Sequence, residues 1–158
     1  MNQTSIREAT LADLDVINEI FRLSKGSWGY SDKFMQQCMT DYAITTDQID
    51  KSTVYLFCVN NIVAGFYNFT QDEARHSTEL DYFFLHPNYF GQGLGRKLWK
   101  SCLETARSLN LKEFILNSDP NAEGFYFQMG CKKIGEIKSP IIKNRKLPVM
   151  IYHISRNK

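Results

Sequence analysis

The stretch FGQGLGRKLW, Phe90-Gly91-Gln92-Gly93-Leu94-Gly95-Arg96-Lys97-Leu98-Trp99, places glycine at every second position and then passes directly into an apolar, basic run. Leu94, Leu98, Cys102, Leu103, Ala106 and Leu109 continue from it at helical spacing, which predicts a long amphipathic helix. Upstream, Thr78 to Leu85 reads as a strand that Pro87 stops. A strand, a glycine-rich turn and a helix can serve several ligands or none. A Walker A loop needs a second glycine after four residues, and counting from Gly91 that position is Arg96. The dinucleotide fingerprint GxGxxG is also missed, because the spacing here is GxGxG and no acidic residue ends a second strand at the expected distance. A turn without a ligand would account for an isolated pair of glycines.

Arg96 and Lys97 argue for more than a turn. Cations in the first turn of a helix oppose the positive end of its dipole, so their placement suggests an anion supplied from outside. A diphosphate fits: the N–H groups of Gln92 to Arg96 point into one concavity, and without Cβ atoms at the glycines its oxygens can come within hydrogen-bonding distance.

The chain of 158 residues, 43% hydrophobic, has the size of one ordinary domain, and we expect a single domain over 1–158. It has no apolar run of membrane-spanning length, and MNQTSIREAT lacks the features of a signal peptide, so a cytoplasmic protein without membrane association is expected. Cys38, Cys58, Cys102 and Cys131 are widely spaced, form no CxxC pair and imply neither disulfides nor a metal site. A net charge of +2, with no basic stripe interleaved with aromatics, argues against nucleic acid as a partner. Homodimerisation is left open.

The remaining elements follow from periodicity and punctuation. TSIREA reads as a strand, and the next segment as a helix capped by Thr10 or Asp13 with Leu14, Ile17, Ile20 and Phe21 on one side. After the break GSWGY, Ser31 and Asp32 open a second helix carrying Phe34, Met35, Cys38 and Met39. VYLFCV and IVAGFYNF flank Asn60-Asn61 and predict a hairpin with a tight turn, and QDEARHS predicts a polar loop after it. KEFILN predicts a strand, DPNAEGFYFQMG a helix opened by Asp119 and Pro120 and stopped at Gly130, and CKKIGEIKS and LPVMIYHIS two strands joined by a basic loop. The order βααβββαβαββ predicts one α/β sheet of about seven strands with helices on both faces.

FFLHPNYFGQGLGRKL, followed by DPNAEGFYFQMGC, resembles the two cofactor motifs of the GNAT superfamily of acyl-CoA-dependent N-acyltransferases. Phe83, Phe84 and Leu85 match the apolar triplet of the first motif, and Gly93 and Gly95 its two glycine positions; Phe90 departs from a Gln or Arg. In the second, Ala122, Tyr126 and Gly130 agree, whereas Asp119 replaces Asn and Cys131 replaces Phe. The resemblance implies the GNAT-like fold, a mixed, mostly antiparallel seven-stranded sheet, with acetyl-CoA as co-substrate and no metal. It further implies that Gly91, Gln92, Gly93, Leu94, Gly95 and Arg96 cradle the pyrophosphate, that the edge of Phe83 to Leu85 pairs with the pantetheine arm, and that Asp119 and Tyr126 lie at the cofactor.

Acyl transfer to an amine needs the amine neutral, and an alkylammonium with a pKa of about 10.4 benefits from a base. Glu79 and Asp81 lie two apart on the strand leading to the cofactor edge, so both carboxylates are expected on one side. The resemblance places Glu79 where histone-type members carry their base, and Tyr126 where the family's tyrosine protonates the departing thiolate; Asp119 equally reads as a helix cap. Trp28 and Tyr30, between glycines on a loop the fold would place at the acceptor, with Phe66, Tyr67 and Tyr82 as weaker candidates, predict an aromatic acceptor wall, and the basic loop IIKNRKLP is an alternative that could instead attract an acidic group. The expected reaction is direct transfer in a ternary complex to a primary amine of a small molecule or peptide. The competing expectation is a non-catalytic acyl-CoA sensor on the same fold.

Overall fold

The structure is a computed structural model and describes residues 2–155. Strand β1 (Thr4–Glu8) leads through a 3-10 turn into helix α1 (Leu14–Gly26), whose Ile17, Ile20 and Phe21 are buried on one side as their spacing predicts. Arg7 pairs with Asp13 at 2.9 Å, which holds that carboxyl down to about 2 and ties the strand to the turn. Helix α2 (Asp32–Tyr42) starts at Ser31, whose hydroxyl accepts from Phe34 N–H. A further short helix, α3 (Thr46–Lys51), has no counterpart in the expected order. It opens on a capping box in which Thr45 and Gln48 satisfy each other's backbone N–H groups.

Strands β2 (Val54–Val59) and β3 (Ile62–Asp72) form the expected hairpin, with Asn60 and Asn61 both at positive φ. Strand β3 extends to Asp72 and β4 (Ser77–Leu85) begins at Ser77, so the expected polar loop is trimmed at both ends to the four-residue turn Glu73 to His76. Helix α4 (Leu94–Ser108), β5 (Glu113–Asn117), helix α5 (Glu123–Gln128), β6 (Lys132–Lys138) and β7 (Lys146–His153) follow.

The seven strands make one sheet in the order β1-β2-β3-β4-β5-β7-β6. Every pairing is antiparallel except β4 with β5, whose parallel ladder holds only at Glu79 opposite Ile115. Beyond that point the two strands no longer pair, and the edge of β4 from Leu80 to Leu85 is left without a neighbour on that side while β3 covers the other. Two cores fix this split sheet. Helix α4 packs Leu94, Leu98, Trp99 and Cys102 against one face, and α1 packs Ile17, Ile20 and Phe21 against the other. Phe66 and Tyr67 are wholly buried in these cores and do not reach an acceptor.

A β-bulge interrupts β4. Asn68 lies opposite Tyr82 and Phe69 opposite Leu80, so Asp81 is the extra, unpaired residue. The side chain of Asn68 replaces the missing ladder contact: its Oδ1 accepts from the Tyr82 backbone N–H at 3.1 Å in a fully buried setting. Asn68→Ala is therefore expected to destabilise the fold by about 1–3 kcal/mol, the usual cost of an unsatisfied buried donor, read as a lowered midpoint in urea unfolding. An unchanged midpoint would show that the bulge closes without Asn68.

Candidate active site

Two cavities meet where the sheet splits. The first, of about 540 Å³, runs from Phe90, Gly91 and Gly95 along Phe83 and Leu85 to Tyr126 and the β5 end at Asn117 to Asp119. The second, of about 440 Å³, lies on the α1 face and is lined by Tyr30, Phe34, Tyr82 and Phe84 and by residues of the β6–β7 connection from Lys138 to Arg145. Lys25, Asp81, Phe84 and Asn117 line both and mark the junction.

At the far end of the first cavity, α4 is capped by Gly93 in the left-handed conformation at φ 76°, with Gly91 also at positive φ. A Cβ at either position would meet no protein atom within 4 Å. Packing inside the chain therefore does not demand these glycines, whereas the left-handed backbone conformation does. The first turn of α4 carries no acidic residue, and Arg96 and Lys97 have no ion-pair partner among the described residues. These features suit a phosphate-bearing ligand. Leu94 offers the turn only its backbone, since its side chain is buried, and the Gln92 amide donates to the Asn88 carbonyl.

Tyr126 is buried on the floor of the first cavity against Phe83, Trp99 and Phe125. Burial pushes its phenol well above the usual range, so it carries its proton at neutral pH. Among the described residues its hydroxyl has no hydrogen-bond partner in the chain. Glu79 and Asp81 do line one cavity together, but only Asp81, which the bulge removes from the regular alternation, also reaches the other. Glu79 accepts from the Asn117 amide at 3.4 Å and lies 3.6 Å from Arg75. Burial, followed by the charge of Asp81, raises the Glu79 carboxyl, and partial desolvation raises Asp81, which stays open to solvent.

The expected acceptor residues separate. Tyr30 and Tyr82 line the second cavity, whereas Trp28, about half exposed, lines the first. Nor is Tyr30 on a free loop. Its hydroxyl donates to Asp119 Oδ2 at 2.6 Å and accepts from Arg145, its ring stacks on Phe34, and the Arg145 guanidinium lies over it at 5.0 Å. Asp119 caps the turn before α5 through the Asn121 N–H and also holds Lys25 at 2.7 Å and Arg145 at 3.2 Å. Both of its oxygens are thus engaged inside the chain, which makes it a clasp between α1, the β5 end and the β6–β7 connection; its partners keep the carboxyl below the usual range despite burial. Lys25 and Arg145 were not among the expected site residues. Nothing local in the sequence links them to an aspartate 94 and 26 positions away.

The four cysteines are buried free thiols. Among the described residues no cluster of His, Cys, Asp and Glu is placed to hold a metal ion, and no helix is long and apolar enough to cross a membrane.

Residues 19–140 match the family model described as an acetyltransferase (GNAT) domain. The chain belongs to this GNAT acetyltransferase family. Solved GNAT structures repeat the architecture at low sequence identity. The PaiA N-acetyltransferase of Thermoplasma acidophilum, in complex with coenzyme A, aligns with a TM-score of 0.78 at 16% identity over 96% of this chain and 99% of that one. The yncA protein of Salmonella typhimurium, solved with acetyl-CoA, gives 0.69 at 20% identity over 99% and 96%. The ribosomal-protein-S18-alanine N-acetyltransferase of Escherichia coli gives 0.68 at 15% identity over 99% and 97%. No curated protein sequence matches the chain. In this member of the family, both cavities flank the point where the parallel β4–β5 pair opens after one residue pair.

Proposed function

We propose that this GNAT protein transfers the acetyl group of acetyl-CoA to a primary amine in a ternary complex. The observation that carries the reading is that Asp81 lines both cavities and Tyr126 lines the first, so a carboxylate and a phenol share the cavity assigned to the cofactor. The coenzyme A and acetyl-CoA held by the two GNAT relatives support the assignment of the first cavity to the cofactor. Gly91 to Arg96 would hold the pyrophosphate through backbone N–H groups, and the unpaired β4 edge from Phe83 to Leu85 would hold the amide-bearing arm as an added strand.

When bound, acetyl-CoA supplies an acyl thioester whose C–S bond breaks as the acceptor's N–C bond forms. Asp81 takes the proton that the acceptor nitrogen must lose, directly or through one water, and Glu79 stands behind it in the second cavity. Their lowered acidities make both better proton acceptors than an unperturbed carboxylate. Tyr126 donates its hydroxyl proton to the departing sulfur. Its apolar surroundings disfavour a phenolate and would likewise disfavour a thiolate at the same place, so the departing sulfur has need of that proton.

Because the Asp81 carboxyl is raised, the reactive carboxylate form accumulates as pH rises through a value above the usual aspartate range. Turnover at saturating acceptor should climb along that limb. Asp81→Asn should lower kcat about tenfold or more and remove the limb, measured as a pH–kcat profile. A variant that keeps both the limb and the rate would take Asp81 out of the role.

The reading as a whole is tested by following CoA release across polyamines, amino acids, aminoglycosides and peptide N-termini, alongside acetyl-CoA binding by calorimetry. Binding with acceptor-dependent thiol release is expected. A measurable Kd with no release from any amine would instead make the chain an acyl-CoA sensor.

A further inference from the structure

The second cavity separates charge in a way that the transfer reaction does not require. On the β4 side lie Asp81 and Glu79, close enough for one to raise the other. Asp81 has no hydrogen-bond or ion-pair partner among the described residues, and Glu79 has only a 3.6 Å approach of Arg75 and the Asn117 amide. The β6–β7 connection brings Arg145 and Lys138 to the same space, and Lys25, at the end of α1, joins them at the junction of the two cavities. Asp119 is the one carboxylate paired with this basic group, and it faces both Lys25 and Arg145, so the wall keeps a surplus of positive charge even before the exposed Lys138 is counted.

The two groups do not neutralise each other: no ion pair within 4.0 Å joins Asp81 or Glu79 to Lys25, Lys138 or Arg145 among the described residues. Arg145 commits only one terminal nitrogen, to Tyr30 and Asp119, and its Nε and other terminal nitrogen have no partner among the described residues. A guanidinium held over a ring with donors to spare presents a fixed fork that suits a carboxylate. Between the two charged ends the lining is apolar and aromatic, with Phe34, Tyr82, Phe84 and Ile137 among it.

We infer that the acceptor is a bipolar amine. Its ammonium lies against Asp81 and Glu79, and an acidic group of the carboxylate class at its other end lies against Arg145 and Lys138. A simple monoamine would leave the basic wall unused, and a diamine would bring a second positive charge against it. This inference rests on the transfer reading for its meaning, but its test does not depend on turnover.

Equilibrium binding is measured by calorimetry on the full chain without acetyl-CoA, using 6-aminohexanoate, 6-aminohexanamide and 1,6-diaminohexane, and L-phenylalanine with L-phenylalaninamide. In at least one acid–amide pair the acid should bind about tenfold or more tightly, in line with a desolvated charge-assisted contact. Lys138→Glu, an exposed substitution opposite Lys146 in the β6–β7 ladder, should erase that preference without lowering the unfolding midpoint. Equal binding of acid and amide in both pairs, tightest binding by the diamine, or a preference that survives Lys138→Glu and Arg145→Gln together would overturn the proposal. If the acid binds selectively yet no acetylated product forms with acetyl-CoA present, the transfer reading fails while the acceptor assignment stands. If amines are acetylated without any preference for acids, the reverse holds.

Discussion

Gly93→Val is expected to weaken acetyl-CoA binding by about 10³-fold or more while leaving a folded chain. Gly93 caps α4 at φ 76°, and the direction its Cβ would take is open, with no protein atom within 4 Å. Inside the protein the substitution therefore meets conformational strain, of about 1–2 kcal/mol for a side chain in the left-handed region, and no clash. Toward a phosphate it fills the concavity that the backbone N–H groups face. Losing two charge-assisted hydrogen bonds of about 1.5–3 kcal/mol each is enough for the stated loss. Calorimetric titration with acetyl-CoA reads the affinity, and circular dichroism with thermal unfolding separates lost binding from lost fold. Gly93→Ala, which adds the Cβ alone, should fall between the two. A folded Gly93→Val protein with the wild-type Kd would remove the pyrophosphate from this turn.

Tyr126→Phe is expected to lower turnover by about 10²-fold or more with little change in acetyl-CoA affinity, the range of a lost acid catalyst. The ring is packed by Phe83, Trp99 and Phe125, and those contacts survive the substitution. The hydroxyl has no partner in the chain among the described residues, so its removal breaks no internal hydrogen bond and stability should hold. The loss should fall in kcat and be smaller with an acyl donor whose leaving thiol is more acidic, because such a thiolate needs less help from a proton donor. A uniform loss across donors, or none, would mean that Tyr126 only packs the cavity floor.

Local signals brought much of this protein into view. Asn60-Asn61 specified a tight turn, Ser31 a helix start, and the spacing of Leu94, Leu98 and Cys102 the apolar face of α4. The capping box at Thr45 and Gln48 was equally local, and its T-x-x-Q pattern could have marked α3. Asp81 was harder. Strand alternation placed it beside Glu79, but its reach into both cavities comes from a bulge that Asn68 supports from the neighbouring strand. Trp28 and Tyr30, two residues apart, were read together and ended in different cavities, because Tyr30 is drawn to Asp119 and Arg145 from distant parts of the chain.

The sequence by itself determined the elements, the glycine turn before α4 and the family, since each depends on residues within a turn or two of one another. The tertiary structure alone decided where β4 and β5 part, which carboxylate stands at the junction, and that a clasp of Lys25, Tyr30, Asp119 and Arg145 ties α1, the β5 end and the β6–β7 connection together. Those features arise from strand order and from side chains up to 115 positions apart. No periodicity encodes such contacts, because the chain must fold before its distant charges can meet.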